Sequence, residues 1–294
     1  MSEQVLDLLF AQTLKDPALQ RVLELEAERN LGPVNFIGPS DTQKAWLALV
    51  LRRENGRVPC ILVPDELRAR SLAADLRALC DRQILIFRPR ELNLVEAAAV
   101  SRESELQRLA ILAQIVTGHQ TDQRQIGAII VPAAATLQKL MPRSVFVRKM
   151  IRIRVGQRLD IDMLCQILIA IGYERTRQVD GAGQFAQRGD IVDVVPAQPE
   201  DGQPADGLRI SFFDVEIDSI KRFDLETQRS TQMLDQAILA PARENLIDPD
   251  KASLLAEEIR LMAREAYQDL PHDEDGRKAR ERIQMLCRYD AERI

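Results

Sequence analysis

CILVPDELRARSLAADLRALCDRQILIF, residues 60–87, reads as strand, helix, strand: two short apolar runs, CILV (60–63) and ILIF (84–87), flank a charged helical stretch over 66–80. Pro64-Asp65 stands where that helix starts, and an aspartate there accepts hydrogen bonds from the free amides of the first turn. Asp65-Glu66 therefore reads as a helix opener rather than as a magnesium-positioning acidic pair. The same rhythm repeats outward. VNFI (34–37) and AIIV (128–131) are further short apolar runs, and helical stretches at 43–55 and 101–116 fill the intervals. Strands alternating with helices in this way predict a parallel sheet with crossover helices, an α/β domain. Ahead of it, Val5, Leu8 and Leu9, then Leu19, Val22, Leu23 and Leu25, recur at helical spacing interrupted at Asp16-Pro17, which predicts two short helices.

After Pro132 the pattern changes. The stretch KLMPRSVFVRKMIRIRVGQRL (139–159) holds seven basic residues and no acid. Within it Met150, Arg152 and Arg154 alternate with Ile151, Ile153 and Val155, the signature of a strand with one wet face. A helix at about 160–171 closes on Gly172. Short strands follow in QFAQR, DIVDVVP, GLRISFF and VEIDSIKRF, interrupted by AQPEDGQPADG (197–207), which reads as a long hairpin loop. The second module is thus α+β and mostly antiparallel. Beyond residue 250 two helical stretches are split by PHDEDG, and the sequence stops inside the second without a capping residue, which reads as a truncation at Ile294. The predicted organisation is 1–138, a parallel α/β domain; 139–245, an α+β domain; and 246–294, a helical return toward the first domain.

The 294 residues are 46% hydrophobic and 29% charged, an ordinary globular mix that excludes a disordered, fibrous or disulfide-stapled chain. Aromatic residues make up 4% and Trp46 is the single tryptophan, which counts against a stacking platform for single-stranded nucleic acid. The net charge of −5 confines any contact with nucleic acid to a local patch. Cys60, Cys80, Cys165 and Cys287 form no Cys-x-x-Cys pair and the histidines number two, so neither a zinc site nor a disulfide framework is indicated. Cys60 and Cys165 lie in apolar stretches and are expected to be buried, unreactive thiols. No apolar run reaches about 18 residues and the first residues are acidic, so a reducing cytoplasm is the expected compartment, with no membrane contact.

Gly38-Pro39-Ser40-Asp41-Thr42-Gln43-Lys44-Ala45 occupies the strand-to-helix position of a GxxxxGK[ST] phosphate loop. Two signature positions fail. Gln43 replaces the glycine that lets backbone approach phosphate, and Ala45 replaces the hydroxyl that holds magnesium, which leaves Gly38 and Lys44 as the remnant. Hydrolysis should be lost, so the chain alone is not expected to be an enzyme.

The segment from Gly172 to about residue 231 carries ordered elements: Gly172-Tyr173-Glu174-Arg175, Gly183-Gln184-Phe185, Arg188-Gly189-Asp190, Asp193-Val194-Val195-Pro196, Arg209-Ile210-Ser211-Phe212-Phe213 and Phe223-Asp224. Together they resemble the UvrA-binding domain shared by the excision-repair subunit UvrB and the bacterial transcription-repair coupling factors, the Mfd family. With the loop at 38–45, the VPD turn and IIVPAAATLQKLMP, the resemblance spans roughly 30–245. The degenerate loop, and the absence of aromatics from RPRELNLVEAAAVSRESE (88–105), place it nearer the coupling factors than UvrB.

The resemblance implies a degenerate, nucleotide-hydrolase-like first domain with an inserted UvrA-binding domain, and an adaptor that recruits UvrA for nucleotide excision repair of transcription-blocking lesions. It implies a contact face of Arg175, Phe185, Arg188 and Arg209, with catalytic and metal-binding residues absent. ATP and magnesium belong to the family's motor, and RNA polymerase and DNA contacts to regions beyond this chain. Ala186, Ser211 and Asp214-Val215 depart from the family pattern. The competing class is a piece of an ATP-dependent DNA translocase or helicase, or a UvrB-like excision subunit that grips DNA directly.

Overall fold

The computed structural model describes residues 3–27, 33–90, 102–117, 126–197, 206–246, 249–268, 270–271 and 274–281. Met1–Glu91 and Ser101–Glu244 form one compact unit; Leu92–Val100 and Asn245–Ile294 form another.

The larger unit begins with α1 (Glu3–Thr13) and α2 (Pro17–Ala27), separated where the sequence breaks at Asp16-Pro17. In α3 (Asp41–Asn55) Trp46 stacks on Phe10 of α1 at 4.3 Å and donates its indole N–H to Thr13. Then β1 (Cys60–Val63), α4 (Glu66–Leu79), β2 (Gln83–Ile86), α5 (Glu103–Thr117) and β3 (Ile126–Pro132) alternate. The three strands form a parallel sheet in the order β1-β3-β2. Apolar runs of this kind are expected where both faces are covered. Ala45, Leu49, Ala69, Ala73 and Leu76 of α3 and α4 cover one face over Ile84, Ala128 and Ile130, while Ile111 of α5 and Ala135 meet Leu85, Phe87 and Ile126 on the other. Asp65 opens α4 by accepting from the Arg68 amide at 2.8 Å.

Two expectations for this sheet are corrected. VNFI (34–37) is not a strand: residues 33–37 are irregular, and Val34, Phe36 and Ile37 are exposed, Ile37 to 95%. Pro33 offers no amide, and among the described residues no strand lies alongside to supply ladder bonds. Among the described residues β1 consequently pairs on one side only, with β3, and Cys60, expected to be buried, is exposed on it. Cys165 is buried as expected, and burial pushes its thiol pKa up.

Short α6 (Ala133–Thr136) and α7 (Arg143–Lys149) lead into β4 (Ile151–Arg154) and α8 (Ile161–Ala170), which Asp160 caps through the amides of Asp162 and Met163. Six strands follow: β5 (Glu174–Arg175), β6 (Gln184–Arg188), β7 (Ile191–Val195), β8 (Asp206–Phe213), β9 (Glu216–Asp224) and β10 (Ser230–Leu234). They lie side by side in sequence order, antiparallel except for β5 with β6. β11 (Gln236–Leu239) returns to pair antiparallel with β4. Leu164, Cys165 and Leu168 of α8 bury one face of the meander, against Phe185, Val192, Val194, Ile210, Phe212 and Ile220. The helix α7 lies in the basic stretch just ahead of the strand read at 150–155, and α7, β5, β10 and β11 were not expected. Of the 197–207 loop, 198–205 lie outside the described residues.

The segment after β11 ties the two sheets together. Tyr173 donates to the Ala240 carbonyl at 3.0 Å, and Arg102 donates to the carbonyls of Ala242 (2.6 Å) and Gly172 (3.2 Å). Gly172 ends α8 at φ 93°, where a Cβ would lie 2.7 Å from Arg243 Cγ, so glycine is required twice over. Arg108, 1% exposed, donates to Glu244 at 2.5 Å and to the Arg88 carbonyl at 2.6 Å, while its guanidinium lies 4.4 Å from the Phe87 ring centre.

In the smaller unit α9 (Pro249–Gln268) is followed by a helical stretch over 274–281, with Tyr267 donating to the Arg280 carbonyl at 3.0 Å. Among the described residues no helix is long and apolar enough to cross a membrane.

Candidate interaction face on the six-stranded sheet

Because side chains alternate along a strand, the face turned away from α8 is set by register. Asp193 of β7 stands opposite Ala186 of β6 and Arg209 of β8, and Arg209 stands opposite Lys221 of β9. Arg188 lies two residues from Ala186 on the same side. Asp193 is 1% exposed and is the centre of the arrangement. Arg209 grips it with two parallel bonds, Nε to Oδ1 at 2.7 Å and a terminal nitrogen to Oδ2 at 2.9 Å, and Arg188 donates to Oδ2 at 2.8 Å. The carboxylate raises the pKa of Arg209, chiefly by accepting these hydrogen bonds. Phe223 supports the other side: the Arg209 guanidinium sits 4.8 Å from its ring centre, and the ring lies over Gly207, where a Cβ would come within 2.2 Å of it.

Two cations share one buried anion, so the row carries a net positive charge toward solvent. Arg209 is largely sheltered, its side chain 22% exposed, whereas Arg188 is 51% exposed and has donors to spare. Along the same outward face, β8 ends in Phe213, 78% exposed, at a turn where Asp214 adopts φ 55°, and β10 presents Met233, 67% exposed. Planar cations held on Asp193 and, further along the same face, the exposed side chains of Phe213 and Met233 suit a protein partner offering carboxylates and an apolar recess.

Of the four residues singled out in the sequence, Arg188 and Arg209 come together. Arg175 is exposed on β5 and donates to Gln187 at 2.7 Å, away from the Asp193 cluster. Phe185 is fully buried in the core beneath the sheet, so its ring does not reach a partner. Phe213 and Met233 were missed. Phe213 had a signal, since alternation with Ile210 and Phe212 turns the last residue of GLRISFF outward; Met233, on a short polar strand, had none.

At the start of α3, Ser40 and Gln43 cap each other: the Ser40 hydroxyl accepts from the Gln43 amide at 3.3 Å, and the Gln43 side chain accepts from the Ser40 amide at 2.8 Å. Lys44 is paired with Asp41 at 3.0 Å, Arg68 also donates to Asp41, and Ala45 is wholly buried. These partners hold the Asp41 carboxyl below the usual carboxylate range, the Lys44 hydrogen bond most of all. Gly38, at φ 104°, is left-handed. The helix start is thus occupied by its own side chains. Among the described residues no group of three or more His, Cys, Asp or Glu could hold a metal ion.

Residues 151–245 match the UvrB interaction domain family. Over 258 residues the chain is 28% identical to the transcription-repair-coupling factor of Bacillus subtilis (strain 168), covering 87% of this chain and 21% of that protein. It is 30% identical over 202 residues to that of Staphylococcus aureus (strain USA300), covering 68% and 16%, and 35% identical over 134 residues to that of Staphylococcus haemolyticus (strain JCSC1435), covering 46% and 11%. The chain therefore spans about a fifth or less of the length of these curated relatives.

Proposed function

We propose, from the chain's place as a UvrB-homology module of the transcription-repair-coupling factor family, that its six-stranded domain is the adaptor that recruits UvrA to a stalled transcription complex for nucleotide excision repair. The observation that carries the reading is the outward row Arg188–Asp193–Arg209 on a domain that matches the UvrB interaction domain. In this reading the contact face keeps Arg188 and Arg209, drops Phe185 and gains Phe213. Arg188 reaches for partner carboxylates, Arg209 is held ready by Asp193, and Phe213 fills an apolar recess. The first domain is a degenerate nucleotide-hydrolase-like sheet that binds no nucleotide, because the capping box and the Lys44–Asp41 pair occupy the place where phosphate would sit. The adaptor works in the cytoplasm, and ATP, magnesium and RNA polymerase are handled by other parts of the longer family proteins.

Titration calorimetry against UvrA tests this. Arg188→Glu and Phe213→Ser, both at exposed positions, should each cost about 2 kcal/mol or more, roughly thirtyfold in affinity, with unchanged circular dichroism. Arg70→Glu, at an exposed position of α4 where Arg70 pairs with Glu66 of the same helix, should change binding by less than about 0.5 kcal/mol. Undiminished binding by the Arg188→Glu/Phe213→Ser double variant would refute the face. Absence of wild-type binding would refute recruitment itself.

A further inference from the structure

Lys221 of β9 continues the row that Asp193 organises, yet Asp193 does not neutralise it. The register runs straight across the sheet: Ala186 of β6 opposite Asp193 of β7, Asp193 opposite Arg209 of β8, Arg209 opposite Lys221, and Lys221 opposite Met233 of β10. Their neighbours fix which way these side chains turn. Ile210 and Ile220 are fully buried in the core beneath and Leu234 packs against it, so Arg209, Lys221 and Met233 face the other side. Strands lie about 4.8 Å apart, which puts the Lys221 backbone two spacings, roughly 10 Å, from that of Asp193, whose oxygens already hold Arg209 and Arg188. Arg222, the next residue, pairs with Asp206, whereas Lys221 pairs with no carboxylate among the described residues. It is half-buried and stands directly opposite a like charge, an arrangement that costs the fold a little.

We propose, on the reading of this face as the UvrA-binding surface, that Lys221 is a specificity-determining contact that takes a second carboxylate of the protein partner, separate from the one Arg188 takes. Arg188 is anchored on Asp193, and Arg209 on β8 stands between that anchor and Lys221 on β9, so the two cations address different acids. Three cations, Arg188, Arg209 and Lys221, against the one carboxylate of Asp193 leave two positive charges for a partner to answer. Met233 beside Lys221 and Phe213 farther along β8 border the patch with exposed apolar surface. A protein partner can bury such methionine and aromatic side chains, whereas a phosphate backbone gains nothing from them and is repelled by Asp193. Since Lys221 gives up no ion pair in the free chain, a partner carboxylate relieves its repulsion with Arg209 outright. A partner that brings a cation there is penalised, which is how a single charge discriminates.

The test is titration calorimetry of the 294-residue chain against UvrA at low and at physiological salt. At low salt Lys221→Glu should weaken binding at least about tenfold, Lys221→Gln about fivefold and Lys221→Arg less than about twofold. The loss in Lys221→Gln should shrink as salt screens the pair. Arg188→Glu and Lys221→Glu should combine as the product of their separate losses, because they meet different acids. In urea melts Lys221→Gln should leave the midpoint unchanged or raise it, since it relieves the repulsion with Arg209. A lowered midpoint would instead make Lys221 a structural residue and refute the contact, and a double variant no weaker than either single one would refute separate carboxylates. Undiminished binding by Lys221→Glu, where Arg188→Glu loses affinity, would overturn this inference and leave the UvrA reading standing. Absence of wild-type binding would overturn both. Displacement of UvrA by a short DNA duplex that binds Lys221→Glu more weakly would also overturn it, marking the row as a phosphate site.

Discussion

Replacing Asp193 with asparagine removes one negative charge and keeps the shape. The carboxylate accepts three charge-assisted bonds at 2.7, 2.8 and 2.9 Å and is 1% exposed. Asparagine can offer one oxygen to Arg209 or to Arg188, and its amide then faces a second donor. Breaking a buried ion pair by removing one partner costs about 3–5 kcal/mol. Here the cost is smaller, because Arg188 is half in water and can turn outward with little loss. Arg209, between Phe223 and the sheet, cannot, so about 2–3 kcal/mol remains for it, the worth of one or two hydrogen bonds to a charged group. In urea melts followed by circular dichroism, that is a midpoint shift of about 1 M at a slope of 1–3 kcal/mol/M. UvrA affinity measured well below the midpoint should fall as well, because Arg209 loses its orientation. A stability change below about 0.5 kcal/mol, the range of an ordinary surface substitution, would refute the claim that Asp193 organises this face.

Other outcomes follow from the same geometry. Gly207→Ala drives a methyl into the Phe223 ring and should destabilise by about 1–3 kcal/mol in the same melts, whereas Gly189→Ala, with open space around it, should cost only its backbone strain at φ 56°. Arg108→Met removes the nearer cation from buried Glu244, leaving Arg90 at 3.8 Å, and should cost about 3 kcal/mol; a change under 1 kcal/mol would show that the seam is not held by that pair. In a carboxylate NMR titration Asp41 should titrate below 3.8 and move up in Lys44→Ala. Since its folded pKa is lowered, its support for the start of α3 is present above that unfolded value and is lost as acid titrates the folded group. Burial raises the pKa of the Tyr173 hydroxyl, so its contribution is complete below about 10 and is lost as alkali drives ionisation; Tyr173→Phe should abolish that alkaline loss at a cost of about 1 kcal/mol at neutral pH.

Local signals in the sequence carried far where partners were close in the chain. Asp65 capping α4, the break at Asp16-Pro17 and the end of α8 at Gly172 were all legible because a turn needs only its own residues. Strand existence depends on neighbours, and there reading failed: VNFI, apolar at three of its four positions, forms no strand, whereas CILV finds a ladder on β3. On the interaction face, alternation alone could have separated Phe185 from Arg188, which are three residues apart and so on opposite faces. The clasp of Arg188 and Arg209 on Asp193 needed register between three strands, which no spacing encodes.

The pairing of β4 with β11 sets Ile151 opposite Leu239, so the chain enters and leaves the entire six-stranded domain through one doorway about 5 Å wide. The antiparallel strands β6 to β10, paired in sequence order, can assemble from local contacts, while Leu106 of α5 and the Arg102 hydrogen bonds fasten the base of the domain to its host. Proteins otherwise unlike in task could thus share the same docking plate by inheriting a single continuous insertion.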